Sequence, residues 1–462
     1  MKKSRPASIG FVSLGCAKNL VDSEVMATRL QSAGWRLAQA PEQADIVLVN
    51  TCAFIQDAKQ ESLQAILEAC EWKKKGPCRA VLVAGCLAQR YRNELPTTMP
   101  EVDAWVGLDE VKQIERVVRR LENGERGIVK ISRSACAIIE PPPQRILFTG
   151  APFAYLKIAE GCHHHCRFCA IPSIRGRYRS RSMKRIVAEA ESLLAGGIRE
   201  LNLIAQDTTS YGRDLGSKTD LPNLLRALGA INGRFWIRLL YGYPALVTDA
   251  LLEAMGAVSQ VCHYLDIPIQ HSHPELLRAM GRPSLPGGAR HLLRRIRNAM
   301  PDIALRTTCL VGFPGETRCH FDHLMGFIKE AQFDHVGVFV YSREEGTPAF
   351  RLPSPVSRHI AERRRDRLMR LQQRVVFQKA RDRVGSTAEI LIEKHAVCKH
   401  NTRIGRGGAW VGRSGAEAPE VDGQVFVKTR DSAVRPGLFM AARYVAAAGY
   451  DMQAVPAGSL AG

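Results

Sequence analysis

The sequence predicts an α/β fold in three parts. These are an open parallel α/β domain over residues 6–140, a partial (βα)6 barrel over 145–383 and a small antiparallel β-barrel over 384–450. Three observations predict it. Short β-branched runs alternate with helix-length segments through most of the 462 residues, the pattern that parallel βα units leave in a sequence. Pro141-Pro142-Pro143 breaks the alternation with a stiff segment that continues neither helix nor strand. After Gly385 the pattern changes to short β-type runs separated by Gly-rich turns.

In the first part the strands fall at 9–14, 46–49 and 81–84. In the second they fall at 153–158, 200–205, 235–240, 263–269, 303–311 and 335–341, each followed by a helix-length stretch. Residues 357–383 read as one long basic helix. Ser357 is its cap, and Leu368, Leu371 and Val375 form an apolar stripe at helical spacing. The third part has β-type runs at 389–392, 409–411 and 424–427, and the tail beyond Met452 reads as frayed.

Composition narrows the class. With 45% hydrophobic and 24% charged residues, each part can bury a core, which excludes a largely disordered chain. No stretch approaches the roughly 18 consecutive apolar residues of a membrane span. The start, MKKSRPASIGF, reads as a first strand and not a signal peptide, because Gly10, Ser13 and Gly15 break its apolar run. A reducing, cytoplasmic setting follows, so the 13 cysteines are thiols, metal ligands or core residues and not a disulfide framework. The formal net charge is +20. It concentrates in 172–185, with six basic and no acidic side chains, and in 351–383, with eleven basic and three acidic. Such segments are either solvated faces or a docking face for a polyanion such as a ribonucleoprotein particle.

The strongest local signal is Cys162-His-His-His-Cys166-Arg-Phe-Cys169, directly after the first strand of the second part. A structural zinc site wants four ligands, which His163, His164 or His165 could complete. Three thiolates on a 4Fe–4S cube instead leave one iron without a protein ligand. That iron can chelate the amino and carboxylate groups of S-adenosylmethionine, whose reductive cleavage gives a 5′-deoxyadenosyl radical. The spacing resembles the radical S-adenosylmethionine signature. A quieter signal lies in SLGC, VNTC and VAGC, where Cys16, Cys52 and Cys86 each follow a strand. Loops after the C-terminal ends of parallel strands converge on one edge, so three thiolates can meet there on a second cluster. The alternative is that they are core residues, as Cys70, Cys78, Cys136, Cys262, Cys309, Cys319 and Cys398 read.

The phrases VSLGCAKNLVDSE, VNTCAFIQDAKQES, VAGCLAQRY and EGCHHHCRFCAIPSIRGRYRSR resemble the methylthiotransferase family. The resemblance implies a cluster-binding N-terminal domain, a radical S-adenosylmethionine barrel and a C-terminal TRAM barrel. LIAQDTTSYGRDLG, YLDIPIQHSHPELLRAMGR and LRTTCLVGFPGET are similar to the branch that modifies an aspartate of ribosomal protein uS12. The transfer-RNA branch, acting on a modified adenosine, is the alternative, and a non-catalytic iron–sulfur sensor is a rival from another class. His163 departs from the Asn that many relatives carry there, and His164 and His165 beside it are a second departure.

The resemblance implies two 4Fe–4S clusters, on Cys16, Cys52 and Cys86 and on Cys162, Cys166 and Cys169. It implies two molecules of S-adenosylmethionine, one giving a methyl group to sulfur and one giving the radical that takes hydrogen from the aspartate β-carbon. The implied partners are uS12 in the small ribosomal subunit and a reductant protein such as a flavodoxin or ferredoxin, with no membrane.

Other cofactor contacts are expected at Gln206 and Asp207 after the second barrel strand. Arg306 can pair with the cofactor carboxylate or sit in a structural ion pair. Gly312 would let backbone approach adenine, and Glu316 would touch ligand or cap the next helix. Phe168 shields the cluster, and His271 and His273 read as local hydrogen-bonding groups. The nearly neutral third part, with nine basic and seven acidic side chains over 386–462, suits a protein acceptor better than RNA.

Overall fold

The computed structural model describes residues 7–142, 144–216, 219–283, 285–396 and 409–458. The basic start of the chain, Pro143, Cys398 and the last four residues lie outside the described residues. The first domain is a six-stranded parallel sheet in the order β2-β1-β3-β4-β5-β6. Its strands are β1 (Ser8–Ser13), β2 (Arg36–Leu37), β3 (Ile46–Thr51), β4 (Ala80–Gly85), β5 (Ala104–Val106) and β6 (Ile128–Lys130). β3 and β4 are buried along their whole length, because helices cover both faces. That is why IVLVNT and AVLVAG read as continuous apolar runs and not as alternating ones.

The second domain begins with β7 (Phe153–Lys157) and a short antiparallel pair, β8 (Ala159–Glu160) and β9 (Arg179–Ser180). It continues with β10 (Glu200–Ile204), β11 (Trp236–Leu239), β12 (Val261–Asp266), β13 (Ala304–Val311) and β14 (His335–Val340). The order β14-β13-β12-β11-β10-β7 is all parallel and leaves β7 and β14 as free edges. This is a partial barrel.

The first domain reaches both edges. Asp22 pairs with Lys157 of β7 at 2.5 Å. Beyond β14, Arg90 and Lys59 pair with Glu344 at 2.8 and 2.9 Å. The helix Arg358–Asp382 then packs against β14. Ser357 caps it by accepting from the Ile360 amide, and Leu368 and Val375 are buried, with Leu371 partly buried beside them.

The third domain is a closed barrel of β15 (Thr387–His395), β16 (Ala409–Ser414), β17 (Val425–Lys428), β18 (Phe439–Ala448) and β19 (Asp451–Pro456), ordered β15-β16-β17-β19-β18. Four pairings are antiparallel, and the β17–β19 pairing that completes the ring is parallel. The expectation of a frayed tail beyond Met452 is corrected. Met452 and Ala454 are buried in the barrel core, and β19 carries the chain to Pro456. Its sequence, DMQAVP, carries only one β-branched residue, which hid that strand.

The segment 414–422, between β16 and β17, enters the second domain's lumen from the end where its strands begin. Arg238 donates to Gly415 O, Tyr264 to Asp422 at 2.7 Å, and Tyr155 to Glu420 at 2.6 Å. Arg413, at the same junction, pairs with Glu200 at 2.5 Å and Glu393 at 2.6 Å, and all three side chains are buried. Arg238 shares Glu200 at 2.7 Å. Removing one cation from such a network leaves a buried carboxylate uncompensated. Arg413→Met is therefore expected to lower unfolding stability by about 3 kcal/mol, read as a shifted midpoint in urea.

Candidate active site

Cys16, Cys52 and Cys86 leave the first sheet at one edge. The register places Ser13 beside Asn50 and Asn50 beside Ala84, so the three following loops start level with one another. Asn19 and Asn50 fasten them. Asn19 Nδ2 donates to Leu14 O at 2.6 Å and Thr51 O at 3.2 Å, and Asn50 Nδ2 donates to Asn19 O at 2.8 Å. Ser62 Oγ accepts from the Cys52 amide and donates to its carbonyl, both at 2.9 Å. Gly15 adopts φ +90°, and a side chain there would start 2.7 Å from Cys52 Cβ and 3.0 Å from its Sγ. Only glycine lets the two loops come this close.

The second trio occupies the loop after β8. Asp207 orients it: its Oδ2 lies 2.6 Å from His164 Nε2, and the His164 ring stacks on Tyr243 at 3.6 Å. The other side of the loop is held by Met280 O, which accepts from the Arg167 amide at 2.9 Å. Arg282 lies over Tyr243 at 4.5 Å and acts electrostatically on all three thiols.

Beside the first trio lies a buried network, joined to the second trio's loop where the Cys162 amide donates to Gly176 O at 3.1 Å. Arg175 donates to Glu160 at 2.9 Å, Asp22 at 3.0 Å and Asn19 at 3.2 Å, while Lys157 donates to Asp22 and Glu160. Arg175 also acts electrostatically on Cys16, Cys52 and Cys86. Lys157 and Arg175 hold the Glu160 carboxyl below the usual carboxylate range against the effect of burial.

Burial pushes the Cys86 and Cys169 thiols up to about 12 and Cys162 to about 11, and it also raises Cys52 and Cys166. Cys16 behaves differently. The surrounding protein atoms act to raise it, but Lys18 and Arg175 outweigh that and lower it. Its side chain also stays open to solvent.

These residues fit the groups expected of them. Among the described residues neither trio brings three sulfurs within 4.8 Å of one another, too open for a single zinc ion with bonds of about 2.3 Å. His164 is committed to Asp207. Two polar atoms at the strand ends, Gln206 Oε1 and Asp266 Oδ1, are buried without a hydrogen-bond partner. Such acceptors suit a ligand that brings N–H and O–H donors.

The other sequence-derived contacts lie differently from expectation. Asp207 is filled by His164, Thr209 and Ser210. Arg306 pairs with Asp422 of the third domain, which is the structural ion pair and not a free guanidinium. Glu316 does not cap the next helix. It is fully buried, accepts from the Gly312 amide and pairs with Arg364 at 2.9 Å, while Thr317 makes the cap. Gly312, at φ +79°, accommodates Ala361 of the long helix, whose Cβ a side chain at 312 would strike.

Lys18, Asn19, Asp22, Lys157, Glu160, Arg175, Tyr241 and Arg282 were missed. KNLVDSE stood out as a phrase, but only the fold shows that its Asn and Asp face a second domain. Arg175 was hidden inside a run of surface-like arginines.

Residues 8–107 match the model of a family described as uncharacterized protein family UPF0004, 156–328 that of the radical SAM superfamily, and 384–456 that of the TRAM domain. Together with the six converging cysteines, these matches define a radical S-adenosylmethionine enzyme with a second cysteine trio in its N-terminal domain. The fold is similar to that of the radical S-adenosylmethionine methyltransferase TsrM from Kitasatospora setae, with a TM-score of 0.56 and 16% identity, covering 75% of this chain and 77% of that one. Much greater similarity is found to two curated proteins named ribosomal protein uS12 methylthiotransferase RimO. The one from Desulforudis audaxviator (strain MP104C) is 45% identical over 453 residues, 98% of this chain and 97% of the relative. The one from Pelotomaculum thermopropionicum (strain DSM 13744 / JCM 10971 / SI) is 47% identical over 431 residues, 93% and 95%. The chain belongs to the uS12 methylthiotransferase RimO family.

A low thiol pKa combined with exposure makes a cysteine reactive. In cluster-free protein at neutral pH, iodoacetamide is expected to alkylate Cys16 before Cys52 and Cys86, as peptide mass spectrometry would show.

Proposed function

We propose that this chain transfers a methylthio group to the β-carbon of an aspartate in ribosomal protein uS12. One observation carries the reading: two cysteine trios from two domains border a single buried network built on Arg175. Cys16, Cys52 and Cys86 would hold one 4Fe–4S cluster and Cys162, Cys166 and Cys169 another, which with S-adenosylmethionine and an electron from a reductant would supply radical and sulfur chemistry. The chain's own residues position and protect. Arg175, Lys157, Asp22 and Glu160 keep the two domains at a fixed separation, which radical chemistry needs because the reacting atoms must lie close and dry. Gln206 donates to Glu160 at 2.8 Å, which aims its unpartnered oxygen as an acceptor for the cofactor.

Lys18 favours an anionic acceptor over an adenosine. Its Nζ sits 3.4 Å over the Tyr241 ring beside Cys16, and among the described residues no carboxylate pairs with it directly. Burial works against its charge, but Tyr241 and Cys16 outweigh that and raise its pKa, so it stays protonated. A buried cation of this kind is matched by an incoming carboxylate, which an aspartate brings and a nucleobase does not. A cleft of about 280 Å³ lined by Ile55, Gln56, Tyr341, Arg343 and Arg358 opens beside the Cys52 loop and offers that acceptor an approach.

Outside the chamber, Arg363, Arg367, Arg370 and Arg374 are exposed at helical spacing, a stripe suited to the ribosomal RNA around uS12. A flavodoxin- or ferredoxin-like protein would supply electrons. Among the described residues no helix is long and apolar enough to cross a membrane.

The test is incubation of the cluster-reconstituted enzyme with small ribosomal subunits and, separately, with transfer RNA. A mass gain of one methylthio group is expected on uS12, and gain on the RNA alone would overturn the reading. Cys166→Ala is expected to abolish reductant-dependent 5′-deoxyadenosine, whereas Cys52→Ala keeps it and yields no methylthiolated uS12. Lys18→Met should raise the KM for the acceptor about tenfold or more, with 5′-deoxyadenosine formation in the absence of acceptor unchanged.

A further inference from the structure

A cluster of imidazoles lies at the rim of the second domain, where the loop after β12 meets the helix Arg318–Ala331. Neither trio nor the network beside the first uses it. One ligating atom each from His273, Glu275 and His320 lies within 4.8 Å of the others. The His273 and His320 rings are 4.3 Å apart, and His323 stands 5.2 Å from His273. The sequence encodes the arrangement as His-Pro-Glu followed by Arg-Cys-His-Phe-Asp-His, in which His320 and His323 are three apart on one helix face.

Two further observations point to a missing ligand. His273 Nδ1 is buried with no hydrogen-bond partner, and a native structure seldom leaves such a nitrogen empty. His323 is already oriented by Ser272 Oγ at 2.8 Å from its Nδ1, the outer hydrogen bond that commonly fixes a metal-binding imidazole.

We propose that His273, Glu275 and His320 bind a single divalent transition-metal ion, with zinc the best match. Two imidazoles and a carboxylate are a common protein ligand set for zinc, with a fourth position left for water or another ligand. His320 offers Nε2, which lies 3.4 Å from Glu275. Metal binding there places the proton on Nδ1 and gives up a 3.3 Å contact from the Thr317 amide. The cap itself survives, because Thr317 Oγ1 still accepts from the His320 amide.

The ion would be structural. It ties the helix Pro274–Ala279 to the helix Arg318–Ala331, and Met280, next after the former, is the residue whose carbonyl holds the Arg167 amide in the cysteine loop. The sequence reading of His273 as a local hydrogen-bonding group gives way here. His271 keeps that role, because its Nδ1 accepts from the His273 amide at 3.0 Å.

The experiment uses full-length, cluster-reconstituted protein titrated with zinc against a chromophoric chelator, with iron and zinc counted by elemental analysis. One zinc per chain at micromolar affinity or tighter, with the iron count unchanged, is expected. His320→Gln, which keeps a residue able to complete the capping box, and His273→Asn, which keeps a good N-cap, should each weaken zinc binding about tenfold or more while retaining iron. Should either fail to fold, Glu275→Gln on an exposed side chain is expected to show the same loss. Zinc binding unchanged in these variants, zinc bound only as iron is lost, or no zinc bound at all would overturn the site.

Discussion

Arg175 is the side chain on which the active site depends. It is fully buried, it bonds Glu160 of its own domain together with Asp22 and Asn19 of the first, and it acts on the three N-terminal thiols. Burying a guanidinium is unfavourable unless its donors are filled. Here they are filled by two carboxylates and an amide from two separate domains. The same contacts that satisfy the charge therefore fix how far apart the two cysteine trios lie. A neutral side chain in this place could pack, but it could not set that separation.

The partial barrel is then closed from three sides by different physical means. The first domain spans the gap between β7 and β14 through ion pairs to Lys157 and Glu344. The long helix covers β14 by apolar packing with a capped start. The segment 414–422 fills the lower lumen with carboxylates that meet Arg306, Tyr155 and Tyr264. An open βα sheet exposes polar lumen residues at one end and ligand-binding loops at the other. Plugging the first end with a domain leaves only the cysteine-bearing end open to chemistry. Arg306 illustrates the consequence: it points into the lumen as a cofactor contact would, but the third domain has already supplied its carboxylate.

Much of this was legible in the chain. The nine strands read from residues 9–341 all appear in the two sheets, because continuous apolar runs bounded by turns are what doubly covered parallel strands require. Cys16, Cys52 and Cys86 were legible because each follows such a run, and Cys162, Cys166 and Cys169 because of their close spacing in one loop. The short strands β2, β5 and β6 were not, being two or three residues long and without periodicity. β18 was missed because AARYVAAAG is rich in alanine, which marks neither strand nor turn, and β19 because DMQAVP carries only one β-branched residue. The charged network was beyond reach for a different reason. Asp22, Lys157 and Arg175 are polar residues in segments with ordinary surface composition, and only tertiary contact distinguishes a buried partner from a solvated one.

The distribution of positive charge follows from the same contrast. Residues 172–185 carry six basic side chains, yet Arg175 and Arg181 are buried in ion pairs and Arg179 donates to the carbonyls of Ala135 and Ala137. Half of the run is therefore internal scaffolding, and its charge is spent inside the molecule. The helix Arg358–Asp382 differs. Its buried residues follow one stripe, and Arg363, Arg367, Arg370 and Arg374 follow another, exposed one. Charges that face water at regular spacing act at a range set by the ionic strength, about 8 Å under physiological conditions. They can thus attract a polyanion without the desolvation that burial demands. The two basic segments look alike in composition, but one fastens two domains from within and the other presents a regular positive face to solvent.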